Sequence, residues 1–191
     1  MRFVFLFIVF LFPHVGFAET IKGSHDTSIH LTYIAEFNEP WAIEHLDRQS
    51  ILLTEKSGQM WRVDDAGNKT LIRGVPNVAY GGQGGLGDIK LHPDFAENRL
   101  IYFSAIASDD GGATRGAVVY RAEFTGDALE NVQQIWRQDP FVSGMGHFGH
   151  KLAFSKDAAT DRDVIFITSG DRQYMHPAQN YGTNIGKIVR I

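Results

Sequence analysis

His147 and Asp171 are residues whose types suit proton chemistry and whose spacing lets them meet. They stand 24 residues apart, near the ends of HFGHKLAFSKDAATDRDVIFITSGDR (147–172). KLAF (151–154) starts one strand and SKDAATDRD (155–163) is polar and turn-rich. VIFITSG (164–170) is a β-branched run ending in glycine, which suits a largely buried strand. Two strands and their turn bring their far ends together. A histidine backed by a carboxylate is a tuned proton acceptor, because the acid fixes the ring tautomer and stabilises the imidazolium. A core histidine and a turn aspartate with no joint role is the alternative.

Other motifs carry less. GQGGLG (82–87) has the G-x-G-x-x-G spacing of dinucleotide sites, but that fingerprint works at a strand-to-helix turn. Here DIKLHP follows with strand alternation and a proline at 93, so a nicotinamide site is rejected. The loop instead presents Gln83, an amide that donates and accepts; a tight turn with an incidental glutamine has the same local signature. His147, His150 and His176 with Asp171 make a weak zinc pattern, since H-x-x-H falls in an irregular segment. No G-x-S-x-G elbow supports a serine hydrolase. Asp109 and Asp110 beside two glycines read as a solvated turn.

The elements that position these residues are strands. HLTYIAE (30–36) reads as the first, and 42–72 has a three-strand rhythm near Ile43–Leu46, Ile51–Thr54 and Met60–Val63. A glycine-rich loop spans 81–87. Strands follow from 88 to Pro93 and over 98–107, 117–124, 132–138, 151–154, 164–170 and 187–191. Trp41, Trp61 and Trp136 fall at strand-like positions and read as core. LHPDFAENRLIYFSAIA…AVVYRAEF and LAFSKDAATDRDVIFITSG…KIVRI repeat one order of strands and turns, with 42–72 as a looser third copy. Repeated antiparallel units of this kind predict propeller blades; two packed sheets would not explain the repeated order. At about 40–50 residues per blade, the part after residue 18 is long enough for about three to four blades.

MRFVFLFIVFLFPHVGFAET opens with Arg2, an apolar run to Phe12 and Pro13, then Gly16-Phe17-Ala18. This predicts a signal peptide over 1–18 and a periplasmic or secreted protein, the run being too short to span about 30 Å of hydrocarbon. Export permits disulfides, yet there is no cysteine, so thiol chemistry is excluded. Loss of Arg2 with the leader takes the formal charge from −4 to −5. That mild acidity without a basic cluster argues against nucleic acid and anionic membranes.

Three passages together resemble the glucose/sorbosone dehydrogenase family, specifically its soluble PQQ-dependent aldose sugar dehydrogenases. GGQGGLGDIKLHPDFAENRLIYFSAIA (81–107) resembles the family's glutamine loop and His-Pro-Asp-Phe turn. GHFGHKLAF (146–154) resembles its His-Phe-Gly segment, and ITSGDR…AQN…IGKIVRI (167–191) its Gly-Asp-Arg and Gly-Lys-Ile-Val-Arg ends. The resemblance runs from about Ala35 to Ile191. It implies an all-β, six-bladed propeller carrying pyrroloquinoline quinone (PQQ) and calcium, of which residues 19–191 form an N-terminal portion of about three blades.

On this resemblance His147 falls on the general base, Asp171 on the acid that orients it and Gln83 on the amide beside substrate and quinone. His150, Arg172 and Gln179 fall among substrate- or cofactor-binding positions, and no metal ligand is assigned. The implied reaction moves the proton of an aldose anomeric hydroxyl to His147 and the C1 hydride to the quinone C5. His150-Lys151 stands where many relatives carry Gly-Arg; this second imidazole could alter substrate preference or supply the base instead. The expected partners are an aldose sugar and an electron acceptor of unknown identity, with no nucleic acid and no membrane insertion after leader removal. PQQ and calcium are expected mainly from later blades, so the 191-residue piece is expected to be inactive alone. A non-catalytic extracellular propeller that binds a ligand is the alternative.

Overall fold

A computed structural model of the chain describes residues 18–25 and 27–191. The leader expected over 1–18 lies outside the described residues except for Ala18. The chain divides into two compact units, one up to Ala35 and one from Glu36 to Ile191. The sequence reading runs a single domain from residue 19; the blades in fact begin inside the second unit.

In the first unit, β1 (Ala18–Lys22) and β2 (Ser28–Thr32) form an antiparallel hairpin. The first strand expected over 30–36 is thus placed too late. Among the described residues pairing runs from Lys22 opposite Ser28 to Ala18 opposite Thr32, and Tyr33 and Ile34 are exposed.

The second unit contains three antiparallel sheets, each a meander in chain order. The first is β3 (Pro40–His45), β4 (Ser50–Glu55), β5 (Gln59–Asp64) and β6 (Lys69–Leu71). The second is β7 (Leu86–Leu91), β8 (Leu100–Ala107), β9 (Gly116–Phe124) and β10 (Leu129–Arg137). The third has β11 (Gly149–Lys156), β12 (Asp163–Ser169) and β13 (Lys187–Arg190). A single helical turn, α1 (Phe95–Asn98), follows β7. The first strands of the sheets neighbour one another, β3 against β7 and β7 against β11. Successive meanders joined at their first strands are propeller blades.

The run of β8, apolar except for Ser104, follows from burial on both faces. Ile101, Phe103 and Ala105 join a core with Leu52 and Met60 of the first blade. Tyr102, on the opposite face, packs with Leu152, Ile165 and Ile167 of the third. The two faces of β9 divide in the same way, Val118 and Ala122 to one core and Val119 to the other. Each fully buried aliphatic or aromatic side chain contributes about 1.5–3 kcal/mol relative to exposure, so the middle blade holds both neighbours. Trp41 departs from its core reading: it is 43% exposed on β3, and Trp61 and Trp136 are half-buried.

Candidate active site

The loops that enter β7 and β11 and the loop that leaves β12 meet at one end of the blades. Backbone pairing continues past the β11–β12 ladder: Gly170 N–H donates to Phe148 O at 2.9 Å and Arg172 N–H to His147 O at 3.2 Å. Gly170 is needed for this approach, because a Cβ there would lie 1.9 Å from His147 O. The result is the predicted meeting of His147 and Asp171, with Nδ1 2.9 Å from Oδ1.

Asp171 Oδ1 also accepts the Gln173 N–H at 2.9 Å. That backbone donor, and secondarily the His147 ring, hold the Asp171 carboxyl below its ordinary range. An ionised carboxylate only accepts, so Nδ1 carries the ring proton and Nε2 is left with a lone pair in the neutral imidazole. The His147 side chain is 52% exposed, which leaves it accessible to a substrate.

Gln83 reaches the same residue from the other side. Its Oε1 accepts the His147 main-chain N–H at 2.7 Å, and its own N–H donates to Met145 O at 2.8 Å. The backbone donor fixes the amide orientation, so Nε2 of Gln83 has no protein partner among the described residues and can donate to a ligand. Gly82 permits the contact, since a Cβ would sit 2.5 Å from Met145 O. The glycines of GQGGLG therefore serve close packing between blades, and the last two residues of the expected loop, Leu86 and Gly87, already belong to β7.

His150 does not join this group. It is 2% exposed, stacked at 5.6 Å on the Trp41 ring, with Nδ1 2.8 Å from Ser104 Oγ. Ser104 Oγ accepts the Asp88 N–H, which leaves its proton free for His150. Burial lowers the His150 pKa from 6.5 to about 4. Its ring is closed to solvent and therefore to a base role toward a diffusing sugar. A stability prediction follows from the sign of that shift. Between pH 6.5 and about 4 the unfolded chain binds a proton that the folded chain refuses. Stability should therefore fall on acidification through this window, by about 3 kcal/mol in all. Denaturant unfolding at several pH values should show the slope, and His150→Gln should flatten it; an unchanged profile would contradict the assignment.

Arg172 faces inward as well. It is 2% exposed; Nε donates to Gly146 O at 3.0 Å, Nη2 to Gly144 O at 2.7 Å and Nη1 to Arg115 O. The expected ligand-binding arginine is thus committed to main-chain carbonyls. Gln179 lies exposed in a 3₁₀ turn, His176–Gln179, and no hydrogen bond joins its side chain to the group. Sequence reading also missed Gln173 and Met145, which act through backbone atoms, and Ser104, whose buried hydroxyl meets His150; none leaves a periodic signal.

Among the ten described non-glycine residues with positive φ are His147, Arg172 and Gln173 of this group and the neighbouring His150. Such conformations cost about 1–3 kcal/mol each and persist where the surroundings over-determine them, commonly at functional sites. A separate group, His92, Asp94 and Asp163, brings ligand-type atoms within 4.8 Å of one another at the other end of the strands. His92 Nδ1 accepts the Asp94 N–H, and Lys156 Nζ lies 3.0 Å from Asp163 Oδ1 as an ion pair without hydrogen-bond alignment.

Known proteins share this fold. The family profile described as Glucose / Sorbosone dehydrogenase matches residues 37–191. The aldose sugar dehydrogenase YliI of Escherichia coli (strain K12) is 32% identical over 160 residues, covering 82% of this chain and 42% of that protein. A crystal structure of glucose dehydrogenase superposes with a TM-score of 0.74 at 34% identity, covering 81% of this chain and 44% of the other. The PQQ-bound form of aldose sugar dehydrogenase from Streptomyces coelicolor shares the fold at a TM-score of 0.68 and 24% identity, over 94% of this chain and 49% of the other. The chain thus spans less than half the length of these relatives.

Proposed function

This chain belongs to the glucose/sorbosone dehydrogenase family, and from that premise we propose that it carries the proton-accepting site of an exported, PQQ-dependent aldose dehydrogenase. The observation that supports the reading is the 2.9 Å contact of His147 Nδ1 with ionised Asp171, beside a Gln83 amide whose Nε2 has no partner among the described residues. The reaction converts the C1 hydroxyl of an aldose to a lactone carbonyl. His147 Nε2 accepts the hydroxyl proton, Asp171 stabilises the imidazolium that forms, and Gln83 Nε2 donates to a sugar oxygen to orient C1. The quinone, when bound, supplies the two-electron sink for the C1 hydride.

The residues present fit the base half of that chemistry and not the holding of a tricarboxylate. Arg172 is committed to three carbonyls, and Lys151 Nζ pairs with the buried Asp88 at 2.8 Å. No residue described here is therefore assigned to hold the quinone or calcium. Sugar-dependent reduction of a dye, by protein shown to bind the quinone, tests the proposal. Turnover with aldoses is expected of protein that holds the quinone, and none of the 191-residue chain by itself; tight sugar binding by quinone-loaded protein without any turnover would replace the enzyme with a binding propeller.

A further inference from the structure

We propose that Arg172 is a positioning residue for His147, holding the Gly144–Phe148 segment in register with Asp171; this rests on the reading of His147 as the base. The guanidinium donates to the carbonyls of Gly144 and Gly146, and its carbon lies 3.8 Å from the centroid of the Phe148 ring. It thus grips alternate residues on both sides of His147. The third donor reaches Arg115 O, which anchors the grip to the loop that enters β9.

No carboxylate is among these partners, although a buried charge ordinarily takes one. Burial correspondingly lowers the Arg172 pKa to about 10. Neutralising a nearby acid therefore does not explain the arginine. What it supplies is a planar fork whose donors match several carbonyls of a glycine-rich turn at once. Those carbonyls belong to a segment that carries His147 at φ 47°, a conformation that needs support from its surroundings. Arg172 also follows Asp171 directly in the chain. One stretch of backbone therefore sets both the acid that orients the ring and the cation that places the ring's own main chain.

The test uses the full chain with Arg172→Lys and Arg172→Gln. Lysine keeps the charge but concentrates its donors at one point; glutamine buries no charge and reaches fewer carbonyls. The ring ¹⁵N shifts of His147, read by long-range ¹H–¹⁵N correlation, report its tautomer independently of turnover. The wild type should show one Nδ1–H tautomer, and the folded variants an averaged mixture. In the loaded enzyme kcat should fall about 10²-fold, as a misplaced catalytic group costs, with KM within about twofold. A folded variant with wild-type ¹⁵N shifts and kcat would overturn the proposal. Collapse of both variants would also overturn it, by making Arg172 a determinant of the fold as a whole. If His147→Ala retains turnover, the base assignment fails, while the ¹⁵N shifts still decide whether Arg172 positions the ring.

Discussion

Replacing His147 by alanine is expected to lower kcat for aldose oxidation by about 10²–10⁴-fold, the usual contribution of a positioned base. Folding should be unaffected, because the side chain is half-exposed and bonds only to Asp171 among the described residues. The main-chain bond to Gln83 Oε1 survives the change, since it uses the His147 N–H. Substrate orientation by Gln83 should therefore persist, and KM should move far less than kcat. The variant also separates the two imidazoles. Were His150 the base, His147→Ala would retain most turnover; with His150 sealed under Trp41, it should not. Steady-state dye reduction and an unfolding curve check both halves of the expectation. A kcat within threefold of wild type would sink the assignment.

The parts of this site that sequence revealed are those written in local chemistry. Alternation and turn residues located the blade strands other than the short β6, because a strand buried on both faces, such as β8, needs a nearly continuous apolar run. The hairpin that unites His147 and Asp171 was legible because its turn is polar and its two strands are β-branched or apolar. What escaped reading is tertiary. Arg172 and His150 look like ligand-facing polar residues in the sequence, and only the packing of neighbouring blades turns both inward. Gly87 makes room for His150, whose ring would lie 2.0 Å from a Cβ there. The left-handed backbone at His147, Arg172 and Gln173 has no compositional mark, since such residues ordinarily avoid it. The glycine spacing at 82–87 misleads for a related reason: it answers to contacts with Lys56, Met145 and Phe148, which lie far away in the chain.

Removing the acid should cost nearly as much as removing the base, but which substitution is made should matter. Asp171→Ala leaves the His147 ring without its partner, and a kcat loss of about 10²–10³-fold is expected from the wrong tautomer and a wandering ring. Asp171→Asn should be milder, about 10–10²-fold. The reason is that one oxygen, Oδ1, accepts both the His147 Nδ1–H and the Gln173 N–H. An asparagine there must keep its oxygen toward the Gln173 donor, and so continues to accept from His147. Tautomer and geometry survive, and only the negative charge that stabilises the imidazolium is lost. The sign of the pH effect follows. Asp171 is held below its ordinary pKa of 3.8, so in the wild type it stays ionised throughout mildly acid pH. A fall in kcat/KM on mild acidification therefore cannot be its own titration. Without the carboxylate the imidazolium formed during proton transfer loses its partner, so the loss should fall on kcat rather than KM. Rate profiles for the three proteins decide the matter. If asparagine is as damaging as alanine, the shared-oxygen account is wrong.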